Sequence, residues 1–294
     1  MINLISKFSK TTQLNYQFSV LIPSWNNIEY LKLCIEGIQK NSHFNIQIIV
    51  IANEAKDGTL EWLQEQTEID YVYCTENIGI CYGLNSTRSL IKSEYVVYMN
   101  DDMYPLPDWD LGLYEEIKSI NHKKFMLSAT MIEPHNTNNP CVVVKDYGDD
   151  LNSFRKEQLL TDYTNLKISD WSGSSWPPNV VHIDVWDLVG GMSIEFSPGM
   201  YSDPDFSRKL FEAGVRIYKG IGTSLVYHFG SKSTRRVKRN KGKKTFLRKW
   251  DISSNTFSSE YLSLGKPYVG EAIPKKLSFK TKLKGKFKQF INLW

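Results

Sequence analysis

The sequence has no long apolar segment, no disulfide pattern and no recognisable leader. No hydrophobic run approaches the roughly 20 residues that a membrane-spanning helix needs. Residues 1–17 lack the apolar centre of a signal peptide. The 4 cysteines show no Cys-x-x-Cys spacing, which disfavours a metal cluster or a disulfide framework. These absences predict a protein that is made and kept in the reducing cytoplasm.

The residues that are present suffice for a large core. With 294 residues, of which 41% are hydrophobic, the chain can bury one α/β core or two tightly packed subdomains. The net charge of +4 is modest but unevenly placed, because basic residues crowd the last quarter and acidic residues the middle. The composition is that of an ordinary globular enzyme.

Strand-like and helix-like segments alternate through the first half. The apolar segments typical of buried strands are residues 18–22, 48–52, 71–74 and 95–99. The segments with helical spacing are residues 31–38, 57–66 and 81–92. This alternation predicts an α/β domain whose central sheet is mostly parallel and flanked by helices.

The second half is less regular. Its predicted features are a strand at 125–131, a loop-rich stretch at 135–176, a helix after Ser202 and two short strands within 215–228.

An acidic turn, Asn-Asp-Asp at positions 100–102, directly follows the fourth predicted strand. Ligands of open α/β sheets bind beyond the carboxyl ends of the strands, so this turn is expected in the ligand cleft. Carboxylates in such a place suit Mg²⁺ or Mn²⁺ bridging a diphosphate. The alternative is a solvated, Asx-rich turn without a ligand.

Further motifs follow one another between residues 18 and 233. In the first half they are Ile22-Pro23-Ser24-Trp25-Asn26, the segment 51–59, Asn77-Ile78-Gly79 with Asn85, the turn at 100–102 and Pro107-Asp108-Trp109. In the second half they are Val189-Gly190-Gly191-Met192, the segment 201–206, Arg208, Ala213-Gly214 and Val226-Tyr227-His228. In this order they resemble the motifs of the inverting family 2 glycosyltransferases, which implies a single GT-A-type domain.

The chain departs from the family pattern at four positions. Ala52 and Ala55 replace a frequent Asp and Ser, which leaves the identity of the nucleobase open. Asn100 stands where the metal motif usually begins, so Asp102 is the expected direct metal ligand. Ser202 replaces a common Glu on the acceptor side.

The resemblance implies roles for individual residues. The donor, a nucleotide-diphosphate sugar most consistent with the UDP type, would contact Pro23, Trp25, Asn53, Asp57, Asn77, Gly79, Asn85, Asn100 and Asp101. Asp102 and His228 would hold Mn²⁺ or Mg²⁺, which neutralises charge on the leaving diphosphate. Asp203 would be the general base on the acceptor hydroxyl. The acceptor would contact Trp171, Trp176, Gly191, Ser202 and Asp205, the tryptophans by stacking on sugar rings.

Each of these roles has a structural alternative. His228 also suits a satisfied structural histidine. Ser202 or Asp203 before Pro204 is also a good helix start. Trp171 and Trp176 would serve equally well as core residues.

The carboxyl end is strongly basic. Residues 232–249 carry ten lysines and arginines and no acid, which suits the donor diphosphate, anionic lipid or a solvated loop, while no motif supports nucleic-acid binding. Nearer the terminus, Phe279, Leu283, Phe287, Phe290, Ile291 and Trp294 recur at helical spacing among lysines. This predicts a basic amphipathic helix on an anionic membrane, with packing on the domain as the alternative.

The resulting organisation has four parts. They are an N-terminal extension at 1–17, a nucleotide-sugar-binding half at 18–130, an acceptor-binding and catalytic half at 131–231, and a basic helical extension at 232–294. We expect an enzyme on the inner face of the cell membrane that transfers a sugar to a glycan or lipid-linked saccharide. The competing hypotheses are a catalytically silent, membrane-attached glycan-binding scaffold and a nucleotidyltransferase on a related scaffold.

Overall fold

A computed structural model describes residues 4–12, 15–230 and 240–274. The predicted amphipathic helix at 275–294 and the basic residues within 231–239 lie outside the described residues. Among the described residues, no helix has both the length and the apolar character needed to cross a bilayer.

From residue 18 onward the first half alternates strands and helices as predicted, and an additional first strand lies in the predicted N-terminal extension. Its elements are β1 (Ile5–Phe8), β2 (Phe18–Trp25), α1 (Ile28–Asn41), β3 (Ile46–Asn53), α2 (Thr59–Glu65), β4 (Ile69–Cys74), α3 (Gly79–Ser86) and β5 (Tyr95–Tyr98). Strands β4, β3, β2 and β5 are neighbours and run parallel. Their carboxyl ends, and therefore the loops that follow them, meet at one edge of the sheet.

The second half completes the same sheet. Its elements are β6 (Met103–Pro105), α4 (Trp109–Ser119), β7 (Phe125–Glu133), β8 (Val142–Val144), α5 (Lys156–Asp162), β9 (Trp171–Ser172), β10 (Asn179–His182), α6 (Ile183–Val189), α7 (Ser202–Glu212), β11 (Ile217–His228), α8 (Gly242–Trp250) and α9 (Ser254–Thr256). The strand order is β1-β4-β3-β2-β5-β10-β7-β11-β6. Because β1 is antiparallel to β4, and β10 is antiparallel to both β5 and β7, the sheet is mixed and contains one parallel block of β4, β3, β2 and β5.

One long strand, β11, takes the place of the two short strands predicted within 215–228. Its register against β7 shifts between Ile221 and Leu225, so a bulge interrupts the apolar pattern without ending the strand. The strand continues to His228, which carries this side chain to the edge where the acidic turn lies.

The sheet is buried on both faces, which explains the continuous apolar runs. Along β2, Phe18, Val20 and Ile22 face one core cluster, whereas Leu21 faces the other. Such two-sided burial is usual for parallel strands covered by helices.

Candidate functional site

A cavity of about 910 Å³ opens at the carboxyl edge of the sheet. Most of the predicted donor residues line it, namely Pro23, Trp25, Asn53, Asn77, Gly79, Asn100 and Asp101. Asp102, His228, Asp203 and Trp176 line it as well. Segments that are far apart in the sequence therefore meet where the topology predicts a ligand.

Hydrogen bonds fix the donor-side loops at the ends of β3 and β4. The Asn53 Oδ1 accepts a bond from the Ile78 backbone N–H at 3.2 Å, and the Asn77 Oδ1 accepts one from the Gly79 N–H at 2.9 Å. Gly79 has a φ of +76°, and a Cβ there would lie 2.6 Å from the Pro198 Cα. The close approach of the two loops therefore requires glycine.

Asp57 and Asn85 do not line the cavity. Their side chains form hydrogen bonds with backbone groups instead. Asp57 accepts bonds from the Ile28 N–H at 2.7 Å and from the Thr59 hydroxyl at 2.6 Å, which ties α1 to α2. Asn85 bonds both the N–H and the C=O of Met192 at 2.8 Å. The structure therefore shows both side chains positioning neighbouring segments of the fold.

Three segments bring Asp102, His228 and Glu133 together. Strand β11 pairs antiparallel with β6, and the Phe229 N–H donates to the Asp102 carbonyl at 3.1 Å. The Asp102 Oδ1 lies 3.4 Å from the His228 Nε2, and the Glu133 Oε1 lies 2.8 Å from the His228 Nδ1. The two carboxylates thus flank the imidazole on opposite ring nitrogens.

These charges strongly shift the protonation of the imidazole. Burial alone would lower the pKa of His228, but the carboxylates of Asp102 and Glu133 raise that pKa to about 10. Burial raises the pKa of Glu133, and its bond with His228 outweighs this and leaves the pKa below its usual range. A cation that binds the His228 ring nitrogen must therefore displace a proton.

The pair Asp102 and His228 fits part of a divalent-metal site. Asp102 is 2% exposed and His228 5% exposed, and both face the cavity with a carboxylate and an imidazole. In the described ranges no group of three or more His, Cys, Asp or Glu side chains has metal-holding geometry. Hard cations on phosphate substrates often take only one or two protein ligands, with phosphate oxygens and water completing the shell.

Asp203 lies on the same cavity in the first turn of α7. The protein packed around its carboxyl raises the pKa to about 7. Within the described part of the chain, its carboxylate makes no hydrogen bond or ion pair. An acid with a raised pKa on a cavity wall suits proton transfer near neutral pH.

The predicted helix start at Ser202 is confirmed, but neither Ser202 nor Asp203 caps the helix through its side chain. Helix α7 begins at Ser202, its N-cap residue is Tyr201 with φ of +71°, and no side chain caps it. The Ser202 hydroxyl instead donates to the Gly199 carbonyl at 2.6 Å. The carboxylate of Asp203 is thereby left directed to the cavity.

Only Trp176 of the predicted acceptor residues lines the cavity. Trp171 is a core residue whose Nε1 donates to the Thr130 hydroxyl at 2.8 Å. Its ring occupies the space over Gly220, where a Cβ would lie within 1.8 Å of it. The core alternative is therefore correct for Trp171.

Gly191, Ser202 and Asp205 do not line the cavity, and their polar groups bond other parts of the protein. The Gly191 carbonyl accepts a bond from the Lys209 Nζ at 2.6 Å. The Asp205 carboxylate is fully buried, accepts a bond from the Trp250 Nε1 at 2.7 Å and pairs with Lys249 at 3.0 Å. The structure thus places these three predicted contacts outside the cavity lining.

The cavity is also lined by residues to which the sequence assigned no individual role. They are Ser24, Tyr98, Glu133, Tyr201 and, from the predicted extension, Ser254, Asn255, Ser258, Ser259 and Leu264. Nothing in the sequence indicated a functional role for Glu133, because this residue ends a strand that is buried along its whole length. The residues after 240 resemble an ordinary polar segment, and only the tertiary structure places them at the site.

Comparison with known sequences identifies the family. The model of glycosyl transferase family 2 matches residues 19–173, more than half of the chain, so the chain belongs to this family. It is similar to glycosyltransferase GlyA of Streptococcus pneumoniae, at 27% identity over 34% of this chain and 15% of GlyA. It is also similar to TuaG of Bacillus subtilis, named as a teichuronic acid biosynthesis glycosyltransferase, at 28% identity over 29% of this chain and 35% of TuaG. The matches thus span a minor part of these relatives.

Solved structures share the fold. S. aureus TarS residues 1–349, solved with UDP, superposes with a TM-score of 0.50 and 16% identity over 72% of this chain and 60% of that chain. GalNAc-T7 with UDP, GalNAc and Mn²⁺ superposes with a TM-score of 0.57 and 11% identity over 85% of this chain and 51% of that chain. The predicted GT-A-type α/β domain is confirmed.

Proposed function

We propose that this protein is an inverting glycosyltransferase that moves a hexosyl or N-acetylhexosaminyl group from a nucleotide-diphosphate donor to an acceptor hydroxyl. The observation that carries the proposal is that the cavity holds the Asp102–His228 pair and, on a different element, the Asp203 carboxylate. Direct displacement with inversion needs a cation at the leaving diphosphate and a base at the acceptor hydroxyl, on opposite sides of the sugar carbon. Family membership and the UDP-bound structures of similar fold support the donor class.

The donor side would be formed by the loops after the parallel strands. Pro23, Trp25, Asn53 and Asn77 line this part of the cavity, and the bonds of Asn53 and Asn77 hold the loops before α3 in place. Asp102 and His228 would hold Mn²⁺ or Mg²⁺, with Glu133 orienting the imidazole from its other nitrogen. The cation would supply neutralisation of the negative charge on the leaving diphosphate.

The acceptor side would be served by Asp203. Its carboxylate accepts the proton of the acceptor hydroxyl as that oxygen bonds to the sugar carbon and the bond to the diphosphate breaks. Because the pKa of Asp203 is about 7, the group is a stronger base than an exposed aspartate and is still substantially ionised at neutral pH.

The test is a donor screen with purified full-length protein. The protein is incubated with a panel of nucleotide sugars and Mn²⁺ or Mg²⁺, and released nucleoside diphosphate is measured. We expect slow release from one donor, abolished by EDTA and restored by the metal. Silence across the panel together with no binding of UDP would favour a glycan-binding scaffold instead.

We also propose that the enzyme works on the inner face of the cell membrane in bacterial surface-glycan or lipid-linked saccharide assembly. The support is the sequence of residues 275–294, where aromatic and aliphatic residues alternate with lysines at helical spacing. The similarity to TuaG is consistent with this class of pathway.

The membrane proposal predicts the result of a vesicle flotation assay. Full-length protein should float with vesicles containing anionic lipid and remain at the bottom with neutral ones, since lysines near the surface are each worth about 1 kcal/mol. A form ending at residue 274 should stay at the bottom with both. Equal flotation of the two forms would exclude the proposed role of the terminal segment.

A further inference from the structure

A polar segment of the carboxyl-terminal part belongs to the cavity. Residues 254–264, here called the wall segment, contribute Ser254, Asn255, Ser258, Ser259 and Leu264 to its lining. The hydroxyl and amide groups of the four polar residues make no hydrogen bond within the described part of the chain. By contrast, the Ser253 hydroxyl, next to this segment, bonds the Thr256 hydroxyl at 2.9 Å and the Thr256 N–H at 3.1 Å. The wall segment therefore offers donors and acceptors to a ligand.

Buried contacts with α7 hold the wall segment in place. The Asp205 carboxylate is bound by Lys249 and Trp250, at the end of α8 just before the segment. The Arg208 guanidinium lies over the rings of Phe257 and Tyr261, at 5.2 and 4.9 Å from their centroids. Such cation–π contacts strengthen when they are shielded from water.

The same helix carries Asp203, which fixes the segment relative to the proposed base. Asp205 and Arg208 lie within two turns of Asp203 on α7. A ligand held by the wall segment is therefore presented to Asp203 in a defined orientation, since helix and segment are joined by packed side chains.

The chemistry of the wall segment selects the kind of ligand. Its lining residues are uncharged, and the apolar Leu264 is accompanied in the cavity by Met200 and Trp176. Hydroxyl and amide groups beside apolar and aromatic surface match the hydroxyl groups and C–H faces of a sugar ring. The wall segment carries no Lys, Arg or His side chain that would form an ion pair with an anionic group.

We propose that the wall segment is the acceptor subsite and that it binds an uncharged saccharide through Ser258, Ser259 and Asn255. This rests on the glycosyltransferase function proposed above. It replaces the predicted acceptor contacts of Trp171, Gly191, Ser202 and Asp205 and retains that of Trp176.

The experiment compares the full-length wild type with Ser258→Ala/Ser259→Ala and with Ser263→Ala. Ser263 is a matched control because it lies in the same segment but not on the cavity. The probes are UDP with Mn²⁺, measured by calorimetry, and methyl β-glycosides of glucose, galactose and N-acetylglucosamine, measured by NMR titration with UDP at saturation. Circular dichroism verifies folding, and Asn255→Ala, at an exposed position, is the substitute if the double variant does not fold.

We expect the double variant to bind the best saccharide roughly 5- to 100-fold more weakly, the loss typical of two neutral hydrogen bonds. Its affinity for UDP should stay within about twofold of the wild-type value, and Ser263→Ala should match the wild type, because neither change touches the donor side. Unchanged saccharide binding in the double variant, or no saccharide binding to the UDP-saturated wild type, would overturn the acceptor subsite. Failure of the wild type to bind UDP would count against the proposed function instead.

Discussion

Asp203→Asn is expected to lower sugar transfer by roughly 10²- to 10⁴-fold, the usual contribution of a general base. Asparagine has nearly the same shape as aspartate but does not accept the acceptor proton. Because the carboxylate of Asp203 makes no hydrogen bond or ion pair within the described residues, the change should leave the surrounding packing intact. Donor binding, measured with UDP and Mn²⁺, should stay within about twofold of the wild-type value. Full activity in the variant would show that another group is the base.

The pH dependence of the wild type gives an independent check on the same residue. Burial raises the pKa of Asp203 from 3.8 to about 7, so the rate should rise as the carboxylate ionises around neutral pH. Folding favours the protonated form, and the associated stability is therefore present at low pH and is lost as the pH rises through about 7. Asp203→Asn should remove this pH dependence of stability. At pH 8 the variant should unfold at the same temperature as the wild type or at a higher one.

Asp102→Asn is expected to weaken Mn²⁺-dependent binding of UDP by roughly 100-fold or more, beyond the 10- to 100-fold typical of outer-shell partners. The substitution keeps the shape of the side chain and removes the charge that would contact the cation. UDP binding in EDTA should change little, because only the metal-dependent part of the affinity rests on the carboxylate. Calorimetric titrations with and without Mn²⁺ measure both parts.

Two comparisons make this result specific. Asp108→Asn is a matched control, since Asp108 is an exposed aspartate that pairs with His43 at 3.4 Å outside the cavity. It should bind UDP and Mn²⁺ like the wild type. An equal loss of UDP affinity in EDTA and in Mn²⁺ for Asp102→Asn would mean that Asp102 shapes the donor site without holding the cation.

The first half of the fold was predictable because its signals are local. The apolar runs that become β2, β3, β4 and β5 are visible within a few residues, and the helices between them have their own spacing. The carboxyl ends of parallel strands must meet at one edge, so the position of the cleft followed from the same pattern. The second half was less predictable, since an antiparallel β10 and the bulged β11 depend on distant partners.

The candidate site, like the fold, was predictable only in part. The resemblance singled out Asp102, Asp203 and His228, and the structure places all three on one cavity. It also singled out Asn85 and Asp205, whose polar atoms bond Met192 in one case and Lys249 with Trp250 in the other. Whether a polar side chain faces a cleft or a backbone group depends on which distant segment packs against it.

The sequence by itself therefore determined the alternation of strands and helices, the edge of the sheet where the cavity lies and the acidic turn that carries Asp102. Only the tertiary structure decided that Glu133 supports His228, 95 residues away, and that residues 254–264 are part of the cavity. The physical reason is the sequence separation over which each kind of interaction acts. Periodicity and turn chemistry act over a few residues, whereas hydrogen bonds and burial join residues that only the folded chain brings together.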